Sequence, residues 1–224
     1  MTTTNPDIGL KDARLSAIYL TADQVSGAGQ RTTKRLVRAE LIALIVASIA
    51  GVTTIRVTSH ALDVLAPVSA VAFIVALACI VRRAQTKPEE GWYKGRAGAE
   101  SARTLAWKYS IGARPFLVGS DDEEEKRLAK LFLDRLANVV KYVEDAELPS
   151  PDSEARELTK AMKRLRASNL ATRRRVYQRD RIEDQLNWYA RRSGEHDKSA
   201  RWWLGLAIVA SAAGIAMAVV KSSW

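Results

Sequence analysis

Two apolar runs standing close together constrain this chain more than any other feature. The first covers residues 41–55, with Leu36 and Val37 as a lead-in; the second covers 64–81 and carries no charge. A hydrocarbon layer about 30 Å thick is crossed by about 20 mostly apolar residues at about 1.5 Å rise each, and both runs approach that length. Residues 36–83 therefore read as a transmembrane helical hairpin with a short outer turn. A buried hairpin in a soluble all-α domain is the competing reading, because both runs are at the short end for a span. The flanks decide against it. Arg31, Lys34, Arg35 and Arg38 precede the first run and Arg82, Arg83 and Lys87 follow the second, while the turn holds only Arg56. By the positive-inside rule both ends of the hairpin are cytoplasmic.

The net charge of +10, from 35 basic and 25 acidic residues, suits nucleic acid, nucleotides or an anionic membrane surface. Beside membrane spans, positive flanking and lipid headgroups account for most of the excess. The single cysteine, Cys79, lies inside the second run, so no intrachain disulfide forms and the thiol acts as small apolar filler. His60 and His196 fall in different compartments on this topology, and no zinc site can be built from them. The N-terminus has no basic region leading directly into an apolar run, so it is not a cleaved signal peptide.

Residues 1–12 read as disordered or peripheral. From Ala13 a helix is expected, with Leu15, Ile18, Tyr19 and Ala22 at helical spacing and an interruption near Gly27 and Gly29. Small residues recur at Ala43, Ala47 and Gly51 in the first span and at Ala72 and Ala76 in the second, which lets helix backbones approach closely in lipid. Glu40, at the span boundary, and the span hydroxyls Ser48, Thr53, Thr54, Ser69 and Ser211 are the candidate pore contacts.

After Lys87 and Pro88 the chain becomes charged and helical. Trp92, Arg96, Glu100, Arg103 and Trp107 share one helix face, a mixture of aromatic and charged groups that suits neither a solvated face nor an ordinary core. Tyr177, Arg181, Asp184, Gln185 and Trp188 repeat the mixture, so two long helices mated through a buried polar seam are expected. Glu100 would pair with Arg181, Arg96 or Arg103 with Asp184, and the tryptophans would stack on guanidinium groups. Placement of both stripes at the membrane surface is the alternative.

Between them, residues 110–122 form a turn-rich connector. Ser120, Asp121 and Asp122 ahead of three glutamates mark a helix start. The helix that follows carries Leu128, Leu131, Phe132, Leu136, Val139, Val140 and Val143 on one side, and Pro149 and Pro151 end it. Asp152, Ser153 and Glu154 open a helix expected to run to Tyr189 and, after a break at Ser193 and Gly194, to feed a third apolar run at 202–220. Arg191, Arg192, Lys198 and Arg201 hold its start inside, Trp202 and Trp203 lie at the interface, and Ala210, Gly214 and Ala218 are at packing spacing. Lys221 and Trp224 then exit outside. The expected domains are an N-terminal cytosolic segment (1–35), the hairpin (36–83), a cytosolic helical domain (84–201) and a third transmembrane helix (202–224). The fold class is all-α: an integral membrane protein with an N-terminal transmembrane hairpin, a cytosolic helical bundle and a C-terminal transmembrane helix.

Catalysis is not indicated. Gly91, Gly95 and Gly98 follow no strand and lack the Lys-Ser/Thr ending of a phosphate loop. No nucleophile elbow or acid–base constellation with a histidine appears, so neither an enzyme nor a cofactor is expected. The clusters Lys160, Lys163, Arg164, Arg166 and Arg173, Arg174, Arg175 read first as solvated or headgroup-facing. Contact with an anionic ligand, for which Arg173, Arg174 and Arg175 are the candidates, is the sharper alternative.

GWYKGRAGAESARTLAWKYSIGARPF and RVYQRDRIEDQLNWYARR, together with the preceding span pair, resemble the SLATT family, prokaryotic membrane proteins of conflict systems. The resemblance touches Trp92, Arg96, Glu100, Arg103, Trp107, Tyr109, Arg174, Tyr177, Arg181, Gln185, Trp188 and Tyr189. It departs at Arg192, where the family usually has lysine, at the Ser193-Gly194 pair, and in lacking the fourth span of many relatives. It implies a pore-forming or ion-channel effector of anti-phage defence. The spans and their basic flanks put it in the inner (cytoplasmic) membrane, multi-pass, with most of its soluble part cytosolic, and since three spans enclose no conducting path, a homo-oligomer is expected. Its cytosolic helices would be the gate and its trigger a nucleotide, an oligonucleotide or a nucleotide-synthesising partner protein. Membrane lipid is an expected partner and duplex DNA is not. A membrane-anchored scaffold whose cytosolic bundle recruits a partner is the competing function.

Overall fold

In the computed structural model, which describes residues 9–52, 65–143 and 157–222, every regular element among the described residues is helical. The chain divides at Ser168/Asn169 into two compact units, within the stretch 84–201 that the sequence reads as one domain.

The first unit is built on α1 (Ala17–Val52), a single helix of 36 residues that extends about 54 Å. Tyr19, Ala22, Ser26, Gly29, Thr33, Leu36, Glu40, Ala43, Ala47 and Ala50 follow one another in alternating steps of three and four, and all are buried or half-buried. That is a 3.5-residue repeat, the spacing that keeps one face on a partner along a whole helix. Here the seam residues are mostly small.

The expected interruption near Gly27 and Gly29 does not occur, because the glycine serves packing rather than chain reversal. A Cβ on Gly29 would stand 2.8 Å from the Pro88 carbonyl oxygen and 2.8 Å from the Trp92 nitrogen, and one on Gly95 would stand 2.8 Å from the Ser26 nitrogen. Glycine inside a helix costs about 1 kcal/mol relative to alanine, and the close approach of two backbones is what that cost secures.

The partner is a pair of helices, α2 (Leu65–Thr86) and α3 (Pro88–Ile111), running antiparallel to α1. The register descends along α1 as the partner ascends. Ser69 Oγ donates to the Ala47 carbonyl at 2.9 Å, Arg83 meets Glu40 at 3.1 Å, Trp92 faces Gly29 and Gly95 faces Ser26. On α2 the seam falls on Ser69, Ala72, Ala76, Cys79 and Arg83; on α3 it falls on Pro88, Trp92, Gly95, Ala99, Ala102, Ala106 and Tyr109. Within each helix the steps are again three and four. The α2 series would next reach Thr86 but resumes at Pro88, and this slip falls on Lys87, whose backbone is left-handed at φ 39° and ψ 50°.

The half of the hairpin formed by α2 and the end of α1 is apolar outside and small inside. Ile42, Ile45, Ile49, Phe73, Ile74 and Leu77 are 54% to 65% exposed, while Ala47 and Ala76 between the helices are buried. With 22 residues, α2 is the one helix among the described residues long and apolar enough to cross a membrane. Thr53, Thr54, Arg56 and His60 lie outside the described residues.

The other half carries the core. Leu10, Leu15, Ile18, Leu158, Met162 and Leu165 are all at most 2% exposed. Residues 9–12 are therefore not peripheral as expected: Leu10 is fully buried, and the Asp12 carboxylate meets Arg103 at 2.9 Å. Thr159 Oγ1 donates to the Arg14 carbonyl at 2.7 Å, and the Ile18 N–H donates to the buried Glu157 carboxylate at 3.3 Å. A carboxylate is favoured there, at the N-terminal end of the α1 dipole.

Helix α4 (Asp122–Tyr142) starts where the sequence places it, with Asp121 accepting from the Glu124 N–H at 2.8 Å. It buries Ala129, Phe132 and Leu136. Phe132 forms a cluster with Tyr109 and Phe116 at ring separations of 5.2 to 6.1 Å. Pro149, Pro151 and residues 152–154 lie outside the described residues.

The continuous helix expected up to Tyr189 is instead divided. Helix α5 (Lys160–Arg166) ends at Ala167 and α6 (Leu170–Tyr177) begins anew, because the Asn169 side chain accepts from the Thr172 N–H at 2.8 Å as an N-cap. In the second unit α6 passes into a π-helical segment (Gln178–Glu183) and then into α7 (Asp184–Ser222) of 39 residues. The break expected at Ser193 and Gly194 is absent: α7 runs through both, and a Cβ on Gly194 would meet nothing within 4 Å. The backbone of residues 202–220 is helical, while the side chains of Ala210, Gly214 and Ala218 lie outside the described residues, as does Trp224.

Candidate functional site

The seam between α1 and α2–α3 brings the charged candidates together in two places. Where the apolar half meets the polar half, the Arg83 guanidinium lies between two carboxylates, Glu40 Oε2 at 3.1 Å and Glu89 Oε1 at 3.4 Å. These belong to α1 and α3, so one side chain of α2 ties all three helices at the Lys87 junction. Glu40, a candidate pore contact, is thus held inside the hairpin with its side chain 16% exposed. Ser69, another, is spent on the Ala47 carbonyl. Ser48 donates to the Leu44 carbonyl of its own helix at 2.8 Å, on the exposed side. Ser211 is exposed on α7.

Further from the apolar half, the stripe predicted on α3 grades from half-buried Trp92 through exposed Arg96 to buried Arg103 and Trp107. Arg96 meets Glu100 at 2.7 Å and Asp23 of α1 at 3.7 Å. Arg103 meets Asp12 and lies over the Tyr19 ring at 6.0 Å. Burial, reinforced by the charge and hydrogen bond of Asp12, pushes the Tyr19 phenol well above its usual range. The sequence pairs this stripe with residues 177–189; within the first unit the structure gives it α1 and the turn before α1. The sequence carried that signal in Asp12 and Asp23, but reading 1–12 as peripheral hid the first of them.

In the second unit Trp188 and Tyr189 are in edge contact at 4.9 Å, and Arg192 lies over the Trp188 ring at 5.8 Å. Arg181 sits in the π-helical segment, Gln185 is half-buried on α7, and Tyr177 closes α6. A π segment is rare and frequently marks a functional position; nothing in the composition of QRDRIE announces it. Arg174 and Arg175 are exposed and Arg173 half-buried.

Sequence reasoning misplaced Arg166. Read there as one of a solvated basic cluster, it is 4% exposed and uses its guanidinium on protein acceptors. Nη1 donates to the Tyr109 and Phe116 carbonyls at 2.7 and 2.8 Å, Nη2 to the Leu117 carbonyl at 2.9 Å, and Nε to Glu125 at 2.7 Å. The group also stacks on the Tyr109 ring at 4.5 Å. Burial alone would raise the Glu125 carboxyl, but hydrogen bonds from Arg166 and the Gly119 N–H hold it below its usual range. A cleft of about 570 Å³ opens beside this pair, rimmed by Asp122, Lys126 and Lys163. Among the described residues no group of His, Cys, Asp and Glu side chains could hold a metal.

Among the described residues the regular structure is all helical, and the first unit joins a hairpin that is apolar outside to a polar helical half. Residues 17–174 match the SMODS and SLOG-associating 2TM effector domain 3, and residues 177–224 match the SMODS and SLOG-associating 2TM effector domain 1. The chain belongs to the SLATT family of two-transmembrane effector domains. Comparison with curated proteins and with solved structures gave no match.

Proposed function

We propose that the protein is a non-enzymatic, pore-forming effector of a prokaryotic conflict system, an oligomeric channel in the cytoplasmic membrane with its charged helices inside the cell. The inside-out hairpin carries this reading. Its small residues are consumed between α1 and α2, and its large aliphatic side chains face outward. In water so large an exposed apolar surface would aggregate, whereas in lipid it is solvated. One hairpin encloses no aqueous path, so conduction requires copies arranged around an axis, with 202–220 as a third span. A nucleotide, oligonucleotide or partner protein acting on the cytosolic helices would favour one arrangement of the assembly over another.

A second reading, a membrane-anchored scaffold, draws support from one observation: Glu40 and Ser69 are engaged inside the hairpin rather than presented outward. Ion flux from liposomes containing the purified full chain separates the two. Flux that is altered by Glu100→Ala supports the channel. Absence of flux, with extract from infected cells added, supports the scaffold.

A further inference from the structure

We propose that the exposed face of α1 at Arg31, Arg35 and Arg38 is a binding site for the headgroups of anionic phospholipids in the inner leaflet. The inference rests on the membrane reading above and adds a ligand and a place to it. These three arginines and then Ile42, Ile45 and Ile49 follow in alternating steps of four and three, the same period as the seam, so they form one face turned away from α2 and α3. All three arginines are exposed, and the isoleucines are 58% to 63% exposed. The face changes from cationic to aliphatic within the single turn between Arg38 and Ile42.

No acidic residue interrupts it. The one carboxylate of α1 beyond Asp23 is Glu40, which points into the seam and is paired with Arg83. Among the described residues no carboxylate is paired with Arg31, Arg35 or Arg38. The distances fit a phospholipid. Arg38 and Arg35 lie about 6 and about 10 Å below Ile42 along the helix, and Arg31 about 16 Å. The headgroup layer occupies about 5 to 8 Å of each leaflet, and the potential of an anionic surface reaches about 8 Å beyond it. A nucleic acid or other soluble polyanion would satisfy the arginines but leave the adjoining isoleucines in water. A lipid supplies phosphate and hydrocarbon in this order and at this spacing.

The full chain in nanodiscs of phosphatidylethanolamine with a minor fraction of phosphatidylglycerol provides the test. Lipid retained after extraction into mild detergent is counted by native mass spectrometry. Wild type is expected to retain phosphatidylglycerol in preference to the neutral lipid. Arg35→Gln should weaken retention about fivefold, Arg38→Gln by a similar factor, and Arg31→Gln by less, because its guanidinium lies back against Gly27, at the limit of the surface potential. The corresponding Arg→Lys variants and Lys160→Gln/Arg164→Gln should retain it. Equal retention by wild type and the triple Gln variant, at matching helical content, overturns the site. Glycerophosphate bound by the chain in purely phosphatidylethanolamine nanodiscs as tightly as phosphatidylglycerol is retained would show a free-phosphate site that needs no acyl chain, and would also overturn the proposal. Flotation with neutral vesicles keeps the two failures apart. Chains that float without phosphatidylglycerol preference refute the headgroup site alone; chains that do not float refute the membrane reading beneath it.

Discussion

Arg166 and Glu125 meet at 2.7 Å in a contact that ties the end of α5 to the first turn of α4, and the same guanidinium also caps the carbonyls of Tyr109, Phe116 and Leu117. Replacing Arg166 by alanine leaves those acceptors buried and a carboxylate without its counterion. A loss of about 2 to 3 kcal/mol is expected, below the range for breaking a fully buried pair because the Glu125 side chain is 33% exposed. Lysine, with one nitrogen instead of a planar fork, should recover only part of it. Thermal unfolding of the detergent-solubilised chain measures both.

The same pair sets an acid limit. Glu125 is held below its usual range in the folded chain, whereas unfolded it titrates near its ordinary pKa of about 4.3. Its contribution is therefore fully present above that value and is lost as pH falls through the lower folded pKa. Melting temperature followed from pH 7 to pH 3 should drop at the acid end. Glu125→Gln should flatten that part of the profile and leave the neutral part lower throughout.

Two glycines of one run should respond in opposite directions. Gly95→Val drives a side chain into the Ser26 backbone and should cost at least about 1 to 3 kcal/mol through overpacking. Around Gly91 a Cβ meets nothing within 4 Å, so Gly91→Ala should stabilise by about 0.5 to 1 kcal/mol through helix propensity. Equal effects would mean that α1 and α3 do not approach as closely as Gly29 and Gly95 require.

At the junction, a double-mutant cycle on Glu40→Ala and Arg83→Ala should give a coupling of about 1 to 2 kcal/mol, within the range for contacting charged groups. Arg83→Ala is expected to be the costlier single change, because Arg83 also serves Glu89.

The Thr33 hydroxyl is buried in the seam with no hydrogen-bond partner among the described residues. An unsatisfied buried hydroxyl carries a desolvation penalty of about 1 to 3 kcal/mol, so Thr33→Val should raise the melting temperature. A fall would indicate that the hydroxyl is satisfied in the membrane-bound chain.

Most of the helical content, the hairpin and the charged α3 stripe were legible, because apolar length, capping residues and i, i+4 spacing are local signals. What escaped depended on a partner. Gly29 inside a helical pattern looks like a break until the backbone of Trp92 is brought against it. The alternation of three and four from Tyr19 to Ala50 could be read in the letters, yet the expected interruption cut it in two. Arg166 shares its neighbourhood in sequence with Lys163 and Arg164, which are exposed; only the carbonyls of a distant turn distinguish it. Asn169 is an N-cap in plain view, overlooked because the basic residues on either side suited one long helix.

The unbroken repeat on α1 carries a geometric corollary. A strict 3.5-residue period falls short of the 3.6 of a straight helix, so holding it makes the partners wind about each other with a left-handed twist. At a pitch of about 150 Å, the roughly 54 Å of α1 covers about one third of a full revolution. The outward side of α1 at its C-terminal end is therefore rotated by about 120° from its outward side at the N-terminal end. A straight neighbour laid along that outward face would follow it over only part of its length before the face turned away.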